Sequence, residues 1–427
     1  MRRLDRRRFL RTVAATGAVA AAGACAPAPR GAAAAPGATG TVRIGFVSPE
    51  TGALAAFGET DQYVAAAFEE HVARHPLQIG GRAHGVEVLK RDSQSDPDRA
   101  ADVAADLILN DRVHLVLVSS TPDTTDPVSD QCEAAGVPCV ATATAWQPWS
   151  SGRSGLAWSY LFSWGLDDVE AVYAAMWDQV ATNRTAGALW PDDPDGLAWA
   201  NPDTGVLAGL AARGYSVVDP GNHAAGTQEF STLIAALRAA DADVLFGVPA
   251  PADFAAFWRQ AADQGYRPRI ATLGKALVSP ADVEALGPLG ANLATEVWWS
   301  PAHPFTSSLT GQSAAALAEA YTAATGRRWS QPLGPAHALF EVAAAALSAV
   351  GAVEDRRGIA DAIGRLRLDT VVGPLDFTAG PVPNVATTPL VGGQWRAGPA
   401  GVELVVVSNT GHPEIPVAGA VEPLPPA

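Results

Sequence analysis

The chain is 427 residues long, enough for two lobes of ordinary size, and with 48% apolar and 17% charged residues it can bury their cores. A formal net charge of −15 excludes the basic face that a nucleic-acid binder needs. Only two of its 29 basic residues are lysines, Lys90 and Lys275. With so much Ala, Gly and Pro, that bias is the composition of a GC-rich genome, and it makes an isolated Lys275 stand out.

The first segment reads as an address. Arg6-Arg7-Arg8-Phe9-Leu10-Arg11 precedes an apolar run from Val13 to Ala24, too short to span a membrane. Arg6-Arg7 followed by Phe9-Leu10 resembles a twin-arginine export signal. Ala22-Gly23-Ala24-Cys25 resembles a lipoprotein cut site, with Ala22 where Leu is usual, so residues 1–25 are expected to be a signal with acylation at Cys25; a plain cleavage nearby is the alternative. Residues 26–40 then form a flexible spacer. Beyond residue 25 the body carries −20 and two cysteines, Cys132 and Cys139, which outside the cytoplasm either bridge or stay as buried thiols.

From there βα units follow one another. The apolar patterns predict a strand at Val42 to Val47 and a helix from Thr60 or Asp61 with Val64, Ala67, Phe68 and Val72 on one face. A strand at Val86 to Lys90, a helix from Pro97 to about Leu109, a fully apolar strand at Val113 to Val118, a helix starting near Pro127 and a strand at Val137 to Ala141 come next. After residue 165 the alternation restarts. Helices are predicted at Asp168 to Ala181, Pro202 to Arg213, Phe230 to Ala239 and Phe254 to Gln264; strands at Ala186 to Trp190, Tyr215 to Val218, Val244 to Val248 and Ile270 to Leu273. Three helices (Ala314 to Thr325, Ala336 to Val350, Gly358 to Leu366) and strands at Pro374 to Phe377 and Val402 to Val407 complete the pattern, with a loose Pro-rich tail over 413–427. Two such series imply an α/β protein of two doubly wound, parallel-sheet lobes.

Enzymatic signatures are missing. No glycine-rich dinucleotide turn, phosphate-binding Gly-Lys-Ser/Thr or nucleophile elbow is present, and no nucleophile, base and orienter assemble, so the chain reads as no enzyme, without cofactor. His71 and His75, four apart on a helix, lack a third ligand, so no metal is expected. Asp192, Asp193 and Asp195 are interrupted by Pro194 and read as a solvated turn.

Several segments, in this order, resemble the branched-chain amino-acid (leucine/isoleucine/valine) solute-binding proteins of ABC importers: Ile44 to Gly52 with its Pro-x-Thr-Gly loop, Ser95-Asp96-Pro97, Asp126 to Asp130 with Gly136-Val137-Pro138, Gln228 to Leu233, and Val371 to Phe377. The resemblance covers about residues 41–408. It implies a type I periplasmic-binding fold: two Rossmann-like lobes joined by three crossings, near Tyr160 to Gly165, Ala294 to Trp299 and Thr370 to Gly373. Lobe 1 would then comprise 41–162 with 300–372, and lobe 2 163–299 with 373–412. It further implies an exported receptor at the cell surface or in the periplasm, taking a small solute by hinge closure, delivering it to permease subunits, tethered to the membrane surface through Cys25 and acting as a monomer. A sensor subunit for a membrane regulator is the alternative function; a binder of ordinary branched-chain amino acids is a third.

The ligand is expected at the carboxyl ends of the strands. Ser119, Ser120 and Thr121 follow a buried strand and lead into a helix N-terminus that can hold a carboxylate, while Thr124, Thr125 or Asp126 could equally just cap that helix. Thr142, Ala143, Thr144 and Trp146 form the next loop; Asp195, Trp199, Pro249 and Trp298 lie at strand ends of the second lobe or at a crossing. Trp164 and Trp177 read as packing residues. The family's acid for a ligand ammonium should fall in Leu273 to Leu277, where Lys275 stands instead, and its ligand tyrosine is replaced by the stretch around Asp195, Gly196 and Trp199. Lys275 either attracts an anionic ligand or faces solvent beside Asp282 or Glu284. A carboxylate-bearing, partly apolar solute, amino-acid-like, an amide or an aromatic acid, follows.

Overall fold

The computed structural model describes residues 38–153, 155–399 and 401–425. The export signal, Cys25 and nearly all of the spacer lie outside them. No helix among the described residues is long and apolar enough to cross a membrane.

Sixteen strands form two seven-stranded sheets and one hairpin among the described residues. Lobe 1 begins with β1 (Gly40–Ser48), β2 (Leu77–Ile79), β3 (Arg82–Asp92), β4 (Leu115–Ser119), β5 (Cys139–Thr142) and β6 (Ser159–Ser163). Lobe 2 follows with β7 (Thr185–Leu189), β8 (Ser216–Val218), β9 (Val244–Gly247), β10 (Ile270–Leu273) and β11 (Ala294–Val297). The chain then supplies β12 (Arg367–Thr370), β13 (Gly373–Asp376), β14 (Val385–Thr387), β15 (Val391–Gly398) and β16 (Gly401–Ser408). The sheet orders are β14-β6-β5-β4-β1-β3-β2 and β16-β15-β11-β10-β9-β7-β8, parallel except for β2 and for β15 with β16. These are the two doubly wound lobes expected from the alternation.

Local chemistry explains the regular parts. All five residues of β4 are buried, as a strand covered on both faces requires. The Asp96 carboxylate caps the helix Pro97–Leu109 by accepting from Arg99 N at 2.8 Å, and that helix buries Ala100, Val103, Ala104, Leu107 and Ile108 along one stripe. Gly52, at φ +91°, lets the first loop close on the turn before this helix: a β-carbon there would lie 2.4 Å from the Gln94 carbonyl oxygen. Ser95 Oγ seals the contact, donating to Thr51 O at 2.7 Å and accepting from Leu54 N at 3.0 Å.

Four expectations are corrected. The helix predicted near Pro127 starts a turn earlier, at Pro122, and carries Pro127 inside it. Residues 202–214 form turns rather than a helix, because Gly205 and Gly209 sit in their midst against Ala198, Trp199 and Glu170 with no room for a β-carbon. The third crossing lies at 388–390, not at Thr370 to Gly373. Val371 to Phe377 belongs to the β12–β13 hairpin, and β14 then pairs with β6, so lobe 1 extends through residue 387. The other crossings run through 164–165, between β6 and the helix Leu166–Trp177, and from Trp298 onward, after β11. Crossings one and three are tied by Thr388 N donating to Ser163 O at 3.1 Å.

The end of the chain is not loose over 413–425. Ile415, Val421 and Leu424 are buried in lobe 2, Leu424 N donates to Arg269 O at 2.8 Å, and Gln394 Nε2 donates to Glu422 O at 2.7 Å. Single apolar side chains between prolines do this, a pattern without helical or strand period. Cys132 and Cys139 are buried and stand as free thiols in this structure.

Candidate ligand-binding cleft

Between the lobes the cleft is closed down to a cavity of about 20 Å³, room for little more than one water, lined from both sides. Lobe 1 contributes Phe57, Thr121, Ala143, Thr144 and, at the first crossing, Trp164; lobe 2 contributes Asp195, Trp199, Val248, Lys275, Glu296 and, at the second crossing, Trp298. The aromatic rings pack on one another: Phe57 stacks on Trp298 at 5.6 Å between centroids, and Trp164 lies 6.3 Å from Trp298.

On the lobe 1 side the strand ends behave as the sequence implied. Thr121 occupies the N-cap position of the helix Pro122–Ala135, and its side chain makes no capping bond. Its hydroxyl instead reaches Asp123 Oδ2 at 3.4 Å. Thr125 Oγ1 is turned away, donating to Ser120 O at 3.0 Å, and Asp126 pairs with Arg153 at 3.5 Å. Thr144 Oγ1 is buried in the cavity wall without a hydrogen-bond partner. Such a group costs stability unless something satisfies it.

The lobe 2 side is charged. Asp193 caps the short helix Pro194–Trp199 by accepting from Gly196 N at 2.8 Å. Lys275, on the turn after β10, is 4% exposed and places Nζ 2.7 Å from Asp193 Oδ2 and 3.1 Å from Asp195 Oδ2. Burial alone would lower its pKa; Asp195 and Asp193 outweigh burial and hold the pKa above the ordinary lysine value. Burial pushes the Asp195 carboxyl up to about 7 against the pull of Lys275. The aspartates are therefore not a solvated turn, and Lys275 pairs with neither Asp282 nor Glu284.

Glu296, on β11 and 2% exposed, completes this wall. Its Oε2 accepts from Tyr173 Oη at 2.5 Å and from Thr295 Oγ1 at 3.3 Å. Burial raises its pKa to about 7, with the Tyr173 bond pulling back most.

Of the residues expected here, Thr121, Ala143, Thr144, Asp195, Trp199, Lys275 and Trp298 come together. Ser119, Ser120, Thr142, Trp146 and Pro249 do not line the cavity. The Ser119 and Ser120 hydroxyls are buried behind it without partners. Thr142 Oγ1 donates to Phe162 O at 2.9 Å, within the sheet. Trp146 heads a short helix, with its indole nitrogen against Gly165. Pro249 is buried next to Val248, which takes the wall position. Trp177 is core, its indole donating to Thr272 Oγ1 at 3.1 Å, whereas Trp164 faces the cavity. Phe57, Trp164, Val248 and Glu296 escaped sequence reasoning. Only the apolar helix turn at Phe57, next to the Pro-x-Thr-Gly loop, offered a signal. His71 and His75 line a separate groove on lobe 1, and among the described residues no group of three or more potential ligands is placed to hold a metal.

No curated protein matches the chain. Solved structures do. A leucine-binding protein from Thermotoga maritima is 18% identical over 86% of this chain and 99% of its own, with a TM-score of 0.72. A branched-chain amino-acid transporter substrate-binding protein from Streptococcus pneumoniae, in complex with isoleucine, is 18% identical over 86% and 99%, at 0.69. An ABC-transporter solute-binding protein from R. palustris, in complex with 4-hydroxybenzoate, is 16% identical over 86% and 96%, at 0.71. At these identities the likeness shows the fold, a type I periplasmic-binding architecture. The model of a family described as periplasmic binding protein matches residues 41–399, most of the chain and both lobes, and the chain belongs to that family.

Proposed function

We propose that the protein is the extracytoplasmic receptor of an ABC importer, which captures a small carboxylate-bearing, partly apolar solute by closing its lobes. The observation that carries this reading is the cavity itself: it lies between the lobes, at the strand ends, and both lobes wall it. Thr121 and Thr144, with the helix N-terminus behind Thr121, suit a carboxylate; Phe57, Trp164, Trp199 and Trp298 suit an apolar or flat body. The lysine does not strengthen the case for an anion, because Asp193 and Asp195 already neutralise it. Export, acylation at Cys25, docking on permease subunits and a monomeric state are parts of the same proposal.

The test is a thermal-shift screen of the mature protein against amino acids, amides, aromatic acids and dicarboxylates. A true ligand at 100 times its Kd stabilises by ~2.7 kcal/mol. With that ligand, small-angle scattering should show a smaller radius of gyration. A screen in which only solutes lacking a carboxylate raise Tm would overturn the carboxylate reading.

A further inference from the structure

We propose that Glu296 selects among solutes, by accepting an N–H or O–H donor carried by the solute away from its carboxylate. This rests on the carboxylate-solute reading above and adds the second polar end.

The geometry of the wall carries the argument. The family's acid is missing from the turn after β10, where Lys275 stands, but β11 is the neighbouring strand, paired with β10 through Thr272 and Ala294, and it brings a carboxyl to the same cavity. Both hydroxyl donors that hold Glu296, from Tyr173 and Thr295, go to Oε2. Oε1 lies toward Gly274 and the Trp199 ring: a β-carbon on Gly274 would sit 3.1 Å from Oε1 and 3.0 Å from the ring. The absence of a side chain at position 274 thus keeps the approach to that oxygen open.

A packing role explains Glu296 poorly. No ion pair reaches it among the described residues, and a carboxyl among aromatic rings is costly to bury where a neutral group would serve Tyr173 equally well. The rest of the cavity is complementary. Thr144 Oγ1, unpartnered, can donate, whereas Glu296, with the Trp298 indole beside it, and Asp195 accept. A solute with a carboxylate at one end and a donor at the other satisfies both sets.

Glu296→Gln tests this without changing shape. The amide oxygen will take the place held by the Tyr173 and Thr295 hydroxyls, which turns the amide N–H₂ toward the cavity and reverses its polarity. Calorimetry would use matched probes whose donor lies at the end remote from the carboxylate: 4-hydroxyphenylacetate against 4-methoxyphenylacetate, and 4-aminobenzoate against 4-nitrobenzoate. The parent should favour the donor-bearing member of whichever pair it binds by at least tenfold. Glu296→Gln, with unchanged circular dichroism, should move that ratio at least tenfold toward the acceptor-bearing member. Equal binding of both members by the parent, or a ratio untouched by the substitution, overturns the role of Glu296 and leaves the carboxylate reading standing. If the parent binds no carboxylate probe while binding other solutes in the screen, the carboxylate reading fails and this proposal falls with it.

Discussion

Lobe 1 lines the cleft with uncharged hydroxyls at its strand ends, whereas lobe 2 lines it with a lysine held between two carboxylates and, one strand over, a carboxyl held by a tyrosine. The first wall keeps unsatisfied groups: Thr144 Oγ1 has no partner, so its hydrogen-bonding capacity is free for a guest. The second wall has satisfied most of its charge internally. Charge in a binding site is therefore a poor guide to what the site attracts. A buried lysine that already has two carboxylates offers a guest little, and a neutral hydroxyl without a partner offers more.

The largest effect that could break this contrast comes from Lys275→Met. It leaves Asp193 and Asp195 without their cation, and breaking a buried pair from one side costs about 3–5 kcal/mol. Urea unfolding at pH 7 should show that loss, with Lys275→Arg losing less and Asp195→Asn added to Lys275→Met recovering part. A Lys275→Met protein as stable as the parent would mean that the lysine is not locked, and would return it to the pool of ligand groups.

Thr144→Val probes the opposite wall and should give the reverse pattern. Stability should change by less than about 1 kcal/mol, because no bond is lost, while affinity for the solute should fall by roughly tenfold or more if a charge-assisted bond worth about 1.5–3 kcal/mol disappears. Calorimetry and thermal unfolding on the same preparation separate the two.

The smallest effect sharpens the lobe 2 side. The Glu296 carboxyl is raised from 4.5 to about 7. Between those values the folded state holds a proton that the unfolded state has released, so this group's contribution to stability falls as pH rises through the window. Glu296→Gln lacks the titration. Its stability relative to the parent should therefore rise between pH 6 and pH 8, by about 1 kcal/mol, since one pKa unit corresponds to about 1.4 kcal/mol. A pH-independent difference would show that the carboxyl titrates normally.

How legible the cleft was from sequence follows the same divide. Thr121 and Thr144 sit where a strand ends and the next element begins, a local signal that needs no knowledge of the other lobe. Lys275 stood out by rarity, but its partners lie about 80 residues away along the chain and nothing local names them. Glu296 hid in Ala294 to Val297, which reads as an ordinary strand; its role depends on Tyr173 and Gly274 meeting it in space. Trp190 sits just past the end of β7, a place that suits a ligand residue, yet it is wholly buried against Phe246 in the core of lobe 2. The fold was read well where apolar periods were long. It was misread at β14, three residues with no period to detect, and at the tail, whose isolated buried side chains follow none.

The late return of β14 to lobe 1 has a consequence for how the chain must be made. Its neighbour Asn384 donates to Leu156 O at 2.8 Å across 228 residues of sequence, and β14 itself closes the sheet edge beside β6. Neither lobe is a continuous piece of polypeptide: the strands of lobe 2 are threaded between the first and last parts of lobe 1, and β15 and β16 return to lobe 2 afterwards. Contacts of such long range are slow to form, because loop closure comes before its reward. Lobe 1, begun first at the ribosome, can be finished only after nearly the whole chain has emerged. An expression fragment cut at the apparent boundary near residue 163 should therefore expose the unpaired edge of β6 and aggregate rather than fold alone.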